Sequence, residues 1–186
     1  MLPDFLLQAA KEVQATLRTH DEKLVLAESC TGGLVATLMT SLPGISDYFC
    51  GSAVVYRWDT KMKWLGVQPE TLEKYTDVSR ETARELALGV LKQTPEATWA
   101  ASITGHLGPN APQDQDGLIC IGVAHRSSMD LSNPPEIKRV ESFQTDSLLS
   151  EFRFEADSTP ELSLRQQRQL AAARQMLKLI SAALER

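Results

Sequence analysis

Leu24-Val25-Leu26, followed by Ala27-Glu28-Ser29-Cys30-Thr31-Gly32-Gly33, is the stretch that decides how this chain is read. An apolar run stops abruptly and small polar residues take over. The pattern predicts a short buried strand over 23–27 and a helix from Thr31 or Gly32 to Leu42, stopped by Pro43-Gly44. A serine at such a junction is held at a sheet edge, close to the free N–H groups of the next helical turn. Those groups carry partial positive charge and suit an anion or a developing oxyanion. The two glycines let a ligand approach the backbone closely. The segment reads as a nucleophile site.

Outward from it, apolar positions at Phe5, Leu6, Ala9, Val13 and Leu17 predict a helix over 4–19. A β-branched and aromatic run predicts a second strand over 48–56, then short helices over 59–65 and from Pro69. Ser79 is placed to cap a helix running to about Gln93. Strands are expected over 98–104 and 117–124, with a turn-rich loop from His106 to Asp116 between them. A strand pair is expected over 137–143 and 151–155, with loops at 127–135 and 156–160, and a last helix over 160–184. Strands mixed with helices, and helices at both ends, suggest one three-layer α/β/α domain over residues 1–186. Some strands are joined without a helix, so the sheet is expected to be mixed.

The chain has 186 residues, 42% hydrophobic and 23% charged, enough to bury a core without staples. A formal net charge of -5 argues against a nucleic-acid surface. No apolar run approaches the roughly 20 residues that span a bilayer. Asp4 and the lack of a basic start argue against a signal peptide, so a cytoplasmic location is the expectation. The three cysteines, Cys30, Cys50 and Cys120, show no disulfide or zinc spacing, and no metal or cofactor is expected. Cys50 and Cys120 read as core residues, while Cys30 beside Ser29 is an alternative nucleophile.

A nucleophilic serine needs a base. The three histidines are His20, His106 and His125. His20 and His125 read as surface residues at element ends. His106, in the turn-rich loop, is a candidate substrate contact or base. A buried lysine of lowered pKa is the other option. Lys61 follows the second strand, which ends at Tyr56. If the two strands are neighbours, Lys61 and Tyr56 converge on Ser29; from periodicity alone, Lys61 is a solvated residue on a short helix.

Ala27-Glu28-Ser29-Cys30-Thr31-Gly32-Gly33, Val54-Val55-Tyr56 with Lys61, Leu65-Gly66-Val67, Val78-Ser79, Ile103-Thr104-Gly105 and Gly108-Pro109 together resemble the C-terminal domain of the CinA family. That domain also occurs alone as a nicotinamide-nucleotide amidohydrolase. The resemblance runs in order from about residue 5 to 124 and resumes weakly in the last helix. It implies a three-layer α/β/α fold and hydrolysis of the carboxamide of nicotinamide mononucleotide, by a serine–lysine mechanism without metal. Carried over by position, Ser29 is the nucleophile, Lys61 the base, and Tyr56 an orienting or relaying group. The backbone of Cys30, Thr31, Gly32 and Gly33 stabilises the oxyanion. Thr104 and Gly105 line the pocket beside His106, and Arg165 or Arg168 meets the phosphate. A small nucleotide as partner and a homo-oligomer are also implied, with neither nucleic acid nor membrane.

Several positions depart from the family pattern. Arg57-Trp58 stands where Ser-Asn is usual, and the loop after Gly105 lacks its later glycines. A Gly-Asp-Arg before the last helix is missing, and the segment 127–164 is longer. Trp58 reads as packing on its helix or stacking on a substrate ring; Trp64 and Trp99 read as core. The competing functions are therefore a family member that binds a nucleotide or protein without this catalysis, and a hydrolase of another small amide or ester.

Overall fold

The strand ending at Glu28 lies inside a five-stranded sheet and is buried along its whole length. The computed structural model describes residues 2–127, 133–150 and 162–185. In chain order the elements are α1 (Asp4–His20), β1 (Leu24–Glu28), α2 (Leu34–Thr40), β2 (Phe49–Val54), α3 (Trp58–Leu65), α4 (Pro69–Tyr75), α5 (Arg80–Gln93), β3 (Trp99–Gly105), β4 (Leu118–His125), β5 (Glu136–Gln144), α6 (Thr145–Leu149) and α7 (Leu164–Leu184). The sheet order is β2-β1-β3-β4-β5. β1 runs parallel to β2 and β3, while β4 is antiparallel to β3 and β5. The expected mixed sheet is thus found.

Two apolar layers cover the sheet. Leu24 and Leu26 of β1 join α1, α2 and α7 in one core; Val25 and Ala27 join α3, α4 and α5 in the other. This is the period-two alternation of a strand buried on both faces. On α7 an alanine-rich stripe, Ala172, Ala173, Met176, Leu177, Ile180 and Ala183, is buried in the first core. On the other face, Gly89 of α5 brings the helix onto α3. A Cβ there would stand 2.0 Å from the Leu65 carbonyl oxygen, so only glycine permits this approach.

The structure corrects several local expectations. The helix after Ser29 does not start at once: residues 29–33 form a turn and α2 begins at Leu34. Gly32 and Gly33 have φ of 61° and 95°, which no right-handed helix accommodates. β5 pairs with β4, and the five-residue α6 was not expected. The strand expected over 151–155, the loop at 156–160 and the start of the last helix at Pro160 lie outside the described residues, as does most of the 127–135 loop. Cys50 is half-buried on the edge strand, not in the core. His125 is half-buried, its ring 4.3 Å from that of Trp99. Trp99 and Cys120 are buried as expected, but Trp64 is 56% exposed. The one inward stripe of α3 is taken by Lys61 and Leu65, which leaves Trp64 off it.

Candidate active site

Ser29 and Lys61 meet where β1 ends. The alternation along β1 sends Glu28 toward α2 and Ser29 toward α3. Beyond β2 the ladder continues for one residue, with the Val55 N–H donating to the Glu28 carbonyl at 2.8 Å. The chain then turns, and the Thr60 hydroxyl bonds the Arg57 backbone to fix the start of α3. Lys61 lies one turn into α3. Its side chain reaches back toward the helix start, as helical geometry favours.

Lys61 Nζ sits 3.0 Å from Ser29 Oγ, 3.0 Å from the Val55 carbonyl and 3.2 Å from the Tyr56 carbonyl. The side chain is 0% exposed and Ser29 is 5% exposed. All three of its neighbours are uncharged. Burial pushes the Lys61 pKa down from its ordinary value, and the nearby charge of Asp77 opposes that only in part. A neutral amine has two N–H groups and one lone pair. Charged, Lys61 donates to Ser29 Oγ and to both carbonyls; once it is neutral, the two carbonyls accept both N–H groups and the lone pair turns toward the Ser29 hydroxyl. In this arrangement the serine O–H donates to nitrogen, the geometry of a base poised on its nucleophile.

Glu28 is the support that sequence reasoning missed. Its buried carboxylate accepts five hydrogen bonds: from the N–H groups of Gly33, Val35 and Ala36, and from the hydroxyls of Thr31 and Ser52. It therefore consumes the first amides of α2, the groups expected to face a substrate. The Gly32 N–H is also engaged, donating to the Ser29 carbonyl at 3.1 Å. Gly32 and Gly33 shape the turn and do not offer their amides. The spacing carried a signal, since an acid just before a helix start complements its amides.

Ser29 opens into a cleft of ≈ 140 Å³ that is also lined by Tyr56, Asp77, Gly105, His106, the 107–111 loop and Arg165. Four of the expected site residues besides Ser29 thus converge there: Tyr56, Gly105, His106 and Arg165. Tyr56 does so differently from expectation. Its backbone carbonyl holds Lys61, while its phenol is exposed and accepts a hydrogen bond from Arg165 Nη2 at 3.2 Å. Arg165 also donates to the Gly108 carbonyl. Thr104 is buried beneath the cleft, its hydroxyl donating to the Asp77 carbonyl at 2.6 Å. Trp58, 43% exposed, does not line the cleft.

Cys30 and Arg168 do not reach the cleft either. The Cys30 thiol is buried and burial pushes its pKa up to about 12, which suits a core thiol and not a nucleophile. Arg168 is buried and committed to other partners. It donates to Asp146 at 2.8 and 2.7 Å, to Asp116 at 2.9 Å and to the Leu107 carbonyl at 3.4 Å. These bonds take four of its five N–H groups and hold the loop after β3 to α6 and α7, with Arg168 itself away from the cleft lining. Among the described residues, no group of three or more His, Cys, Asp or Glu side chains is placed to hold a metal ion. Among them, too, no helix is long and apolar enough to cross a membrane.

Comparison with known proteins agrees with this architecture. The family described as the CinA C-terminal domain matches residues 6–140. A CinA-like protein of Desulforapulum autotrophicum is 43% identical over 120 residues, covering 63% of this chain and 28% of that protein. A CinA-like protein of Chloroherpeton thalassium is 41% identical over 140 residues, covering 74% and 32%. The chain thus spans about a third or less of the curated relatives it matches. The crystal structure of the competence/damage inducible protein CihA from Agrobacterium tumefaciens is 26% identical, with a TM-score of 0.79 over 98% of both chains. A CinA superfamily protein from Klebsiella pneumoniae is 20% identical, covers 96% of this chain and 97% of that one, and shares the fold with a TM-score of 0.77.

Proposed function

The chain belongs to the CinA C-terminal domain family, and on that footing we propose that it hydrolyses the carboxamide of nicotinamide mononucleotide, or a close pyridine nucleotide, through Ser29 and Lys61. The observation that carries this reading is the buried Lys61 amine, 3.0 Å from Ser29 Oγ and otherwise bonded only to carbonyls.

Ser29 Oγ attacks the amide carbon while its proton passes to Lys61 Nζ. The tetrahedral intermediate collapses as Lys61 returns that proton to the departing nitrogen, which leaves as ammonia. The resulting ester between Ser29 and the nicotinoyl group is attacked by water. Lys61 takes the water proton and then restores the Ser29 hydroxyl, releasing the carboxylate product. The oxyanion falls to the amides of Cys30 and Thr31, because those of Gly32 and Gly33 are engaged. Arg165, exposed in the first turn of α7, is the cation available to a phosphate; its planar fork suits that group.

The test is ammonia release from nicotinamide mononucleotide, with nicotinamide and NAD in parallel. Release from the mononucleotide, lost in Ser29→Ala, is the expected result. Release from plain nicotinamide at equal efficiency removes the role given to Arg165. No release from any of the three overturns the reading and favours a binding protein or another substrate.

A further inference from the structure

One carboxylate in the cleft has no part in the chemistry above. Asp77 lies between α4 and the Ser79 cap of α5, half-buried, and lines the same cleft as Ser29. Its position is fixed through its backbone. The buried Thr104 hydroxyl at the end of β3 donates to its carbonyl, and the preceding Thr76 has a φ of 69°. Its side-chain oxygens, by contrast, make no hydrogen bond or ion pair among the described residues. The carboxylate is near enough to Lys61 for its charge to be felt there. The other ionisable side chains lining the cleft are Tyr56, His106 and Arg165. Arg165 is exposed and tied to Gly108 and the Tyr56 phenol. The cleft is therefore bipolar, with an unpaired carboxylate on the Ser29–Lys61 side and a guanidinium on the α7 side.

A half-buried carboxylate that the fold leaves unpaired is costly when dry, and a ligand cation removes that cost. A neutral ligand offers no such compensation and leaves the charge desolvated. We infer that Asp77 is a specificity-determining residue that selects substrates whose carboxamide is carried on a positively charged ring and whose far end is anionic. The inference rests on the amidase reading and narrows its substrate class to zwitterions. Asp77 pairs with the ring cation while Arg165 takes the anionic end. A pyridinium nucleotide fits this pattern. Its reduced dihydropyridine form, with the same sugar and phosphate but an uncharged ring, does not.

The experiment uses that pair of probes. Ser29→Ala protein, which binds without turnover, is titrated with nicotinamide mononucleotide and with its reduced form. The expected result is a Kd at least about tenfold lower for the cationic form, the size of one partly screened charge pair. In Ser29→Ala/Asp77→Asn the preference collapses, the cationic form weakening about tenfold and the reduced form staying within twofold. Asp77→Glu, which keeps the charge, restores most of the preference. Equal weakening of both probes, an unchanged preference, or binding of neither probe overturns the inference. Ammonia release by the wild type reports separately on the amidase reading. Turnover without charge preference keeps that reading and removes the role of Asp77. Charge-selective binding without turnover does the reverse.

Discussion

Two buried cations flank the cleft, and they are held in opposite ways. Lys61 is 0% exposed and Arg168 4% exposed. Lys61 touches only a hydroxyl and two carbonyls, and burial pushes its pKa down. Arg168 is bonded to the carboxylates of Asp146 and Asp116, which push its pKa up. Equal burial thus has opposite consequences, decided by whether the partners carry charge. Neutral partners leave a cation ready to give up its proton. Charged partners lock it and make it a tie between α7, α6 and the loop after β3. Only the first arrangement suits a base.

The largest expected effect tests the proton-exchanging cation. Lys61→Met keeps the length of the side chain and removes the amine. We expect ammonia release to fall about 10³-fold, within the range for loss of a general base, with a stability loss of about 1–3 kcal/mol because the Val55 and Tyr56 carbonyls lose their donor. The pH profile sharpens this. In the proposed mechanism the neutral amine is the active form, so kcat/KM is expected to rise with pH through a midpoint below the ordinary lysine value of 10.5. Stability moves in the same direction. Between the lowered native pKa and 10.5 the unfolded chain binds more protons at Lys61, so its contribution rises with pH across that window. A profile rising only at the ordinary value places the base elsewhere.

The contrast between these cations also shows what could be read in advance. The strand, its serine and the lysine one turn beyond the second strand were legible, because period-two burial and short spacings carry that information locally. The pairing of Ser29 with Lys61 depended on β1 and β2 being neighbours, which the heptapeptide alone does not state. Arg165 and Arg168 could not be told apart, since both lie in the first turns of one helix. Their difference lies in Asp116 and Asp146, 52 and 22 positions from Arg168 in the chain. Glu28 was hidden for another reason: a glutamate ending a buried strand looks like an exit to solvent until the turn at Gly32-Gly33 swings the α2 amides onto it. Asp77 escaped notice because nothing local marks it; the end of β3 brings it to the cleft.

Glu28 extends the comparison to a buried anion held only by neutral donors. Replacing it with Gln turns an acceptor oxygen into an amide that faces donors. We expect Glu28→Gln to cost about 3 kcal/mol in urea unfolding, since at least one donor is left unsatisfied. Activity per folded molecule should fall as well, because the turn bearing Ser29 hangs from that carboxylate. A loss under about 0.5 kcal/mol, within the range of ordinary surface substitutions, shows that the turn holds without it.

Arg168→Met is expected to cost less, about 2 kcal/mol. Breaking a fully buried pair costs about 3–5 kcal/mol, but Asp146 and Asp116 are 57% and 44% exposed and regain water when the arginine leaves. Arg168 holds the Asp146 carboxyl below its ordinary value of 3.8. That part of the stability is therefore complete above 3.8 and is lost as pH falls through the lowered native value. The gap between wild type and Arg168→Met should narrow from pH 7 to pH 3 in urea titrations. A gap independent of pH assigns the cost to lost packing of the arginine stem.

The smallest effect separates the two carboxylates on that arginine. Asp146 takes two bonds, from Nε and Nη2, in a paired geometry, whereas Asp116 takes one, from Nη1. A paired fork fixes both distance and direction, so most of the electrostatic hold belongs to Asp146. Asp116→Asn keeps an acceptor for Nη1 and should cost about 0.5 kcal/mol, the scale of a partly exposed single pair, with Asp146→Asn costing about twice that. Asp116 also precedes Gly117, whose N–H donates to the His106 carbonyl at 2.8 Å and whose carbonyl accepts from Thr145. If Asp116→Asn instead equals Arg168→Met in cost, the clamp works chiefly by folding the 106–117 loop back on itself. The contrast with Lys61 would then be between a base and a loop anchor, with α6 a bystander.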